Sequence, residues 1–573
     1  PGGAVVARPL GRGGTMRETV AKWVRAASPA DLQCLDDLAE VRDATERVRP
    51  GGYLWLEEAP EKRLRSVVDA HGLSRVPAPE GVLLRRLPPA RYRLAEGLEV
   101  HDEGRLLVSA RPAAVFRMRR AGDADLILAL ARAREGEAPR SSEALAETLH
   151  LPWPAVSTTL ARLEDRRLVD VDRTPSPHRP PVTAIVPAFG RPEAVRRCVA
   201  SLLAQRDVGP LEILVVDDAS PTPLAEALAD LEVRVLRHDA NAGPSAARNT
   251  GARAATHEVL AFLDSDCEAA PRWLATLLAT LDAPRVDAVA GRVRPAEDPQ
   301  LWARYEQSRS SLDMGPRSGW VGDGGPSYVP STNLVVRRDA HRGLGGFREG
   351  MHLGEDVDYV FRLLREGGRV AYEASTEVRH RVRDGLGAQL RRVADYASSE
   401  APLQLLHPQR ARREMHVPRT ALLGLAAVAA AGWKGWLVLG LLGALVLRVT
   451  GELRDKRLAL AKHGVERSGF ALLPAVLRSH RAALVHLGSA VGRYYGLPLA
   501  LAALLHPSLA LLALLLLLPP PVEAWWRLRP PLPLPTFVGL YALEMIAYQA
   551  GLVVGCWREG TLRPLWPRVV LRR

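Results

Sequence analysis

The chain has 573 residues, too long for one ordinary domain, so three or four units are expected. With 77 Lys and Arg against 64 Asp and Glu it carries a formal charge of +13, which admits nucleic acid, an anionic membrane surface or charged substrates as partners. Four scattered cysteines, Cys34, Cys198, Cys267 and Cys556, exclude a metal-ribbon or disulfide spacing and point to a reducing compartment.

Position 1 is not a methionine and no charged segment with an apolar core follows it, so no secretory signal peptide is expected. PGGAVVARPLGRGG reads as a disordered lead-in. From Met16 to Ala90 the pattern is helical (LQCLDDLAEVRDATERV), with breaks at Pro50-Gly51-Gly52 and at Pro77–Pro79. Residues 1–91 are thus expected to be a small helical appendage. Residues 92–173 change character. YRLAEGLEVHDEGRLLVS reads as a hairpin about Asp102-Glu103-Gly104, DADLILALARARE as a helix, and SSEALAETLHLPWPAVSTTLARLEDRRLVDVD as helix, turn, helix, strand. Ser141 or Ser142 can cap the first of these helices, and Val156, Leu160 and Leu163 line one face of the second. This is the outline of a winged helix. Its second helix carries basic residues only from Arg162 on, away from the end that would read bases, which argues against nucleic acid as a partner. Peptide binding or an inert structural role stays open. TPSPHRPP (174–181) is a stiff proline-rich linker.

An α/β domain follows, over residues 182–415. TAIVPAFGRPE, LEILVVDDAS and EVLAFLDSDCE each hold a short apolar run bounded by turn or acidic residues, which suits buried parallel strands, and helical patterns lie between them. Asp217-Asp218 and Asp264-Ser265-Asp266 fall at strand carboxyl ends, where open α/β sheets bind nucleotides. A D-x-D turn offers hard oxygen ligands to Mg²⁺ or Mn²⁺, and no G-x-x-x-x-G-K-[ST] phosphate loop competes for the reading. A metal that keeps positions open for a diphosphate fits a nucleotide-sugar site. Cys267 reads as a packed small residue. In residues 287–350, RSGWVGDGGPSYVPSTN has the punctuation of a mobile acceptor-side loop, whose Trp320 and Tyr328 either stack on a sugar or pack the loop down. GEDVDYVFRLLREGG begins a helix with carboxylates in its first turn, and VAYEASTEVRHRVRD reads as a strand ending at His380.

Residues 416–573 turn apolar. Ala421–Leu447, broken at Gly432-Trp433-Lys434-Gly435, would be about 40 Å long as one helix, with Lys434 near a bilayer centre. A re-entrant hairpin turning at GWKG avoids that cost. Membrane spans are expected at about 496–518, kinked at His506-Pro507, and at 537–557, which contains Glu544. If Ala421–Leu447 does not cross and the two later spans do, the basic segment from Arg448 to Arg493 and the basic tail place both flanks, and the α/β domain, on the cytoplasmic face of the cell membrane.

Between Pro181 and Val393 the ordered motifs VPAFGRPE, VVDDAS, NAGPSAARNTG, FLDSD and HLGEDVDYVFRL resemble a family 2 glycosyltransferase of GT-A fold. The resemblance implies that Pro187, Phe189, Asp217, Asp218, Arg248 and Asp264 bind the nucleotide sugar. It implies Asp264, Asp266 and His380 as metal ligands, and Asp356 as catalytic base with Glu355 beside it. The base would take a proton from an acceptor hydroxyl, whose oxygen displaces the nucleoside diphosphate with inversion. Gln389 and Arg392 match the Q-x-x-R of processive synthases on the acceptor side, although Val393 stands where tryptophan is expected. Residues 92–173 resemble small PqqD-like domains, which hold a peptide against a sheet edge. The whole combination resembles the mycofactocin-system glycosyltransferases. That implies UDP-glucose as donor, a peptide-derived redox cofactor or its precursor as acceptor, and a β-linked oligosaccharide product. Two alternatives are a membrane enzyme acting on a polyprenyl phosphate or a cell-surface polysaccharide, and a membrane-anchored regulator in which the sugar domain only senses.

Overall fold

The computed structural model describes residues 179–572 apart from 283–285, 323–324, 352, 382–384, 411–413, 431–434 and 462–467. Before residue 179 it describes separate elements between Leu32 and Asp172. The chain forms two compact units; Pro295–Ser310 and Val382–Arg573 belong to the second, and most of the remainder to the first.

In the first unit, strands Leu32–Leu35, Tyr53–Leu56, Leu73–Val76 and Val82–Arg86 form a sheet in the order first, second, fourth, third. The expected helix over LQCL is therefore corrected. Leu32–Leu35 pairs in parallel with Tyr53–Leu56, and cross-strand pairing prevails over a weak local helical pattern. The lead-in and most of the rest of 1–91 lie outside the described residues. Farther on, Leu98–His101 pairs antiparallel with Leu106–Ala110, which is the expected hairpin, its turn residues again outside the description. Helices Ala121–Arg134 and Ser142–Leu149 follow, and Val169–Asp172 pairs with Arg91–Leu94. Val156, Leu160 and Leu163 are buried with Leu126, Ile127 and Leu145 in one small core, as their spacing predicts.

The main sheet has nine strands: β1 (Val182–Ala188), β2 (Leu211–Asp217), β3 (Arg234–Arg237), β4 (Val259–Leu263), β5 (Cys267–Ala269), β6 (Ala288–Pro295), β7 (Gly319–Trp320), β8 (Asn333–Arg337) and β9 (Val370–His380). Their order is β3-β2-β1-β4-β8-β6-β9-β5, with β7 also on β9. β1 through β4 are mutually parallel where they pair, and β8 runs antiparallel to β4. Every residue of β1 and β4 is buried, as continuous apolar runs in a two-sided sheet require. Helix α1 (Pro192–Leu203) buries Val195, Cys198, Val199 and Leu202, a stripe at helical spacing. Helix α2 (Pro244–Ala254) lies so close to β1 that a Cβ on Gly251 would come within 2.4 Å of Ile185 Cγ2. The glycine of NTG thus sets how near α2 brings its side chains to the strand ends.

The second unit does not follow the expected division at residue 415. Helices Leu301–Arg309 and Leu386–Ser398 pack with the C-terminal helices, among them Leu534–Arg558. Gly551 and Gly555 make that packing possible: a Cβ at either would lie 1.9 Å from the Ala394 carbonyl oxygen or 2.2 Å from that of Ser398. Gly551→Val is accordingly expected to cost about 1–3 kcal/mol or more. Thermal melts in detergent check this, with Gly539→Ala, in open space on the same helix, as the neutral control.

Helical stretches Pro507–Leu528 and Leu534–Arg558 are long and apolar enough to cross a membrane. The second contains the expected span 537–557. The span expected at 496–518 is corrected: one helix ends at Ala502 and the next begins at Pro507. Pro507 lacks the amide a continuing helix needs, and His506 is extended and caps the new helix by accepting from the Ser508 amide at 3.2 Å. Helices Arg419–Ala430 and Gly435–Ala461 flank the GWKG break, whose turn and Lys434 lie outside the described residues. The basic segment from Arg448 to Arg493 is helical over most of its described length, and Arg568–Arg572 of the basic tail pairs in parallel with Glu414–Pro418. Glu544 accepts from Arg309 at 2.9 Å and from the Tyr305 hydroxyl, which explains a carboxylate within an apolar helix.

Candidate active site

The ends of β1, β2 and β4 bring the sequence-predicted carboxylates to one edge of the sheet, and pairing of Cys267 with His380 brings in the end of β9. Asp217 and Asp218 are both spent on building that edge. Asp217 is fully buried and accepts from the Ser220 amide at 2.8 Å, the Leu224 amide at 3.1 Å and the Arg237 guanidinium. Burial alone would raise its carboxyl, but these donors outweigh burial and hold it below the ordinary range. Asp218 accepts from the Ala242 and Gly243 amides at 2.9 and 2.8 Å and faces His238 Nδ1 at 2.7 Å. The expectation that Asp217 binds the nucleotide sugar is corrected, because its side chain is enclosed by these donors and has no surface open to a ligand. Arg237, which no motif marks, closes its turn.

Arg248, on α2, is the hub of the site. It is buried, and its two terminal nitrogens donate to Glu355 Oε1 at 3.0 Å and to Asp264 Oδ1 at 2.7 Å, while its guanidinium lies 5.4 Å from the Phe347 ring centroid. A buried cation between two carboxylates is the arrangement that tolerates burial. The second Asp264 oxygen accepts from Thr332 Oγ1 at 2.8 Å. Burial tends to raise the Asp264 carboxyl, but Arg248, Thr332 and His380 together hold it below the usual range. Thr332 belongs to the stretch expected to be a mobile loop, yet Val329, Ser331 and Thr332 are buried.

Asp356 is the exception among these carboxylates. It stands half-buried in the first turn of helix α3 (Glu355–Arg365), and one oxygen accepts from the Val357 amide at 2.8 Å. Desolvation, and then the charge of Glu355, push its carboxyl up to about 7, against the pull of Val357 and Arg248. A carboxylate with a pKa near neutrality is what a general base needs. Asn249, missed in the sequence, fixes the approach to this helix: its amide donates to the Phe347 carbonyl at 2.8 Å and accepts from the Phe347 amide at 2.8 Å. Its only signal was a polar residue on the buried face of α2. Asp358 in the same acidic turn is structural, paired with Arg362 at 2.8 Å.

Of the predicted metal ligands, the structure brings Asp266 and His380 together and turns Asp264 toward Arg248. Asp266 Oδ1 lies 3.6 Å from His380 Nε2, beyond hydrogen-bond range, and Asp266 Oδ2 lies 3.8 Å from Arg191. Among the described residues no group of three ligating side chains forms a ready-made cage. A half-buried carboxylate and a buried imidazole, facing each other without a direct bond, still suit a divalent ion that draws its other ligands from a substrate.

Phe189 is 54% exposed at the tip of β1, open to a ligand, whereas Pro187 is buried within the strand and paired opposite Val216. The expectation that the Pro187 side chain contacts the donor is corrected, because it is buried within the strand. The β1–β4 ladder ends at Ile185, so a residue without an amide fits there and β1 runs on to Ala188. Trp320 is also corrected. It pairs with Ala371 at the start of β9, nine residues or roughly 30 Å along the strand from His380. There Arg369 stacks on it at 3.8 Å and it packs on the core, the bland alternative for this residue. Tyr328 packs on the core as well, and Cys267 is buried as expected. Gln389 and Arg392 lie in the second unit, both buried; Arg392 is committed to Glu306 on helix Leu301–Arg309.

A carboxyl raised toward neutrality at a helix start, beside a strand edge lined with carboxylates, is an arrangement compatible with group transfer, and the comparisons give the class: a glycosyltransferase. The family model described as "Glycosyl transferase family 2" matches residues 183–345. The pre-mycofactocin glycosyltransferase of Mycobacterium tuberculosis, strain H37Rv, is 36% identical over 428 residues, covering 72% of this chain and 88% of the relative. The succinoglycan biosynthesis protein ExoO of Rhizobium meliloti is 32% identical over 36% of this chain and 62% of its own. Among solved structures, the mannosyltransferase PcManGT from Pyrobaculum calidifontis, in complex with GDP-Man and Mn2+, aligns over 48% of this chain and 83% of its own at 23% identity and a TM-score of 0.33. Identity that runs through nearly the whole mycobacterial relative decides the matter: this chain belongs to the pre-mycofactocin glycosyltransferases of family 2.

Proposed function

We propose that the protein transfers a hexose, glucose first, from a nucleotide sugar such as UDP-glucose to pre-mycofactocin, with inversion to a β-linked product. The observation that carries this reading is Asp356, a carboxyl lifted to about 7 beside a chain of charge running Glu355–Arg248–Asp264. The acceptor comes from the 36% identity that spans 88% of a relative bearing that name.

In this reading residues 182–415 carry a GT-A fold. Phe189 stacks on the base of the donor, and Asp218 stiffens the turn beneath it. Asp264, oriented by Arg248 and Thr332, meets the ribose. Asp356 Oδ takes the proton from the acceptor hydroxyl while that oxygen attacks the anomeric carbon from the face opposite the leaving diphosphate. Asp266 and His380 would hold a Mg²⁺ or Mn²⁺ ion, which screens charge on the departing nucleoside diphosphate. Residues 92–173 act as a PqqD-like winged helix that holds the peptide-derived acceptor. The C-terminal helices seat the enzyme on the cytoplasmic face of the membrane.

Radiolabel transfer from UDP-glucose, in membranes containing the chain, with and without added pre-mycofactocin, tests the whole. Label on the precursor is the expected result. Label confined to lipid transfers the reading to a polyprenyl-phosphate acceptor, and failure with a panel of nucleotide sugars ends the catalytic reading. Chelation with EDTA is expected to abolish transfer reversibly. His380→Ala is expected to raise the Mn²⁺ concentration needed for half-maximal rate by about tenfold or more, measured by metal titration of initial rates.

A further inference from the structure

Between the tip of β1 and the start of α1 the backbone is held in an unusual shape. Gly190 has φ 63° and Arg191 has φ 52°, ψ 55°, the left-handed region that an arginine rarely enters. The neighbouring turn after β2 does the same at Ala219, with φ 59°, and Ser220 Oγ ties the two turns together by accepting from the Gly190 amide at 2.8 Å. The backbone cost of placing arginine here is of the kind that persists when the surroundings enforce it. Its consequence is a cation, 57% exposed, at the head of α1, with Nη1 3.8 Å from Asp266 Oδ2. Exposed Phe189 stands two residues before it. Arg191 is therefore close enough to a proposed metal ligand to compete with a metal, and exposed enough to move.

We propose that Arg191 is a donor-diphosphate ligand that exchanges partners: it screens Asp266 in the donor-free protein, and pairs with the diphosphate when the donor and its metal bind. This rests on the reading of Asp266 as a metal ligand in a nucleotide-sugar site. The site then keeps a cation beside Asp266 in either state, the guanidinium without donor and the divalent ion with it. Divalent ions bind weakly until a diphosphate arrives to take the arginine away, so metal and donor bind as a pair. A planar guanidinium matches two phosphate oxygens at once, which an ammonium does not.

The test is binding to the full chain in detergent, with parent, Arg191→Gln and Arg191→Lys. Mn²⁺ alone is followed by electron paramagnetic resonance, and UDP with Mn²⁺, GDP with Mn²⁺ and uridine by calorimetry. Arg191→Gln is expected to bind Mn²⁺ alone about fivefold more tightly and UDP with Mn²⁺ about fivefold more weakly, the scale of one exposed charge pair. Uridine affinity should stay unchanged, and Lys should restore the Mn²⁺ value but only part of the UDP value. Opposite signs for metal alone and metal with diphosphate are the signature; a merely structural role would move all three ligands the same way, uridine included. Equal affinities in parent and Gln variant, with the parent binding UDP, overturn the role of Arg191. A parent that binds neither UDP nor GDP overturns the nucleotide-sugar reading and the inference with it.

Discussion

Asp356→Asn is expected to lower sugar transfer by about 10²–10⁴-fold, the range a general base supplies, with the affinity for UDP retained. The pH behaviour separates this role from others. In the parent the carboxyl is pushed up to about 7, so kcat/KM should climb about tenfold per pH unit below that value and flatten above it. The residual activity of the variant should lose this slope. Stability should move the other way. The native carboxyl keeps its proton to about pH 7, whereas the unfolded chain releases it near 3.9. Between those values the unfolded state gains relative to the native one, so the parent loses stability as pH rises and bears the whole cost above pH 7. The asparagine variant bears none of it. It should match the parent near pH 4 and be more stable near pH 8, by on the order of 4 kcal/mol. Initial rates and thermal melts across that range check both halves. An inactive variant whose melting temperature does not diverge from the parent with pH would mean that Asp356 is an ordinary exposed carboxylate.

What the sequence displays are the parts whose physics is local. The runs TAIVPA, EILVVD and VLAFL had to be buried strands, and their acidic ends had to fall at one sheet edge; the structure agrees strand by strand. Val195, Cys198, Val199 and Leu202 announce α1 in the same way. Properties that depend on a distant partner were not legible. Asp217 and Asp264 look alike as residues after strands, yet one is enclosed by Ser220, Leu224 and Arg237 while the other remains partly open. Trp320 lay in a glycine-rich stretch that suggested a loop, and only the pairing of β7 with β9, fifty residues on, assigns it to the far end of the sheet. Gly551 and Gly555 read as incidental glycines in an apolar helix until Ala394 and Ser398 are seen against them. His506-Pro507 was legible as an interruption, but whether the helix bends or ends there depends on the packing around it.

Arg248→Met is expected to have the largest effect on the fold of the site. The guanidinium is 3% exposed and bridges Glu355 and Asp264 at 3.0 and 2.7 Å. Methionine fills a similar volume but leaves two carboxylates with no cation between them, a loss of about 3–5 kcal/mol for a broken buried pair. Protonation offers a partial escape, which gives the prediction its second readout. Arg248 pulls the Asp356 carboxyl down, so its removal should push that group above about 7 and shift the rising limb of the pH–rate profile to higher pH. Arg248→Lys keeps the charge but, as a single ammonium, cannot hold the same planar bridge to both partners, and should fall between parent and methionine in melting temperature. Melting curves of the three proteins, with the pH–rate profile of whichever remain folded, decide the point. A methionine variant as stable as the parent, with an unmoved profile, would show that Glu355 and Asp264 are neutralised by something other than this arginine, and the charge relay from α2 to Asp356 would have to be redrawn.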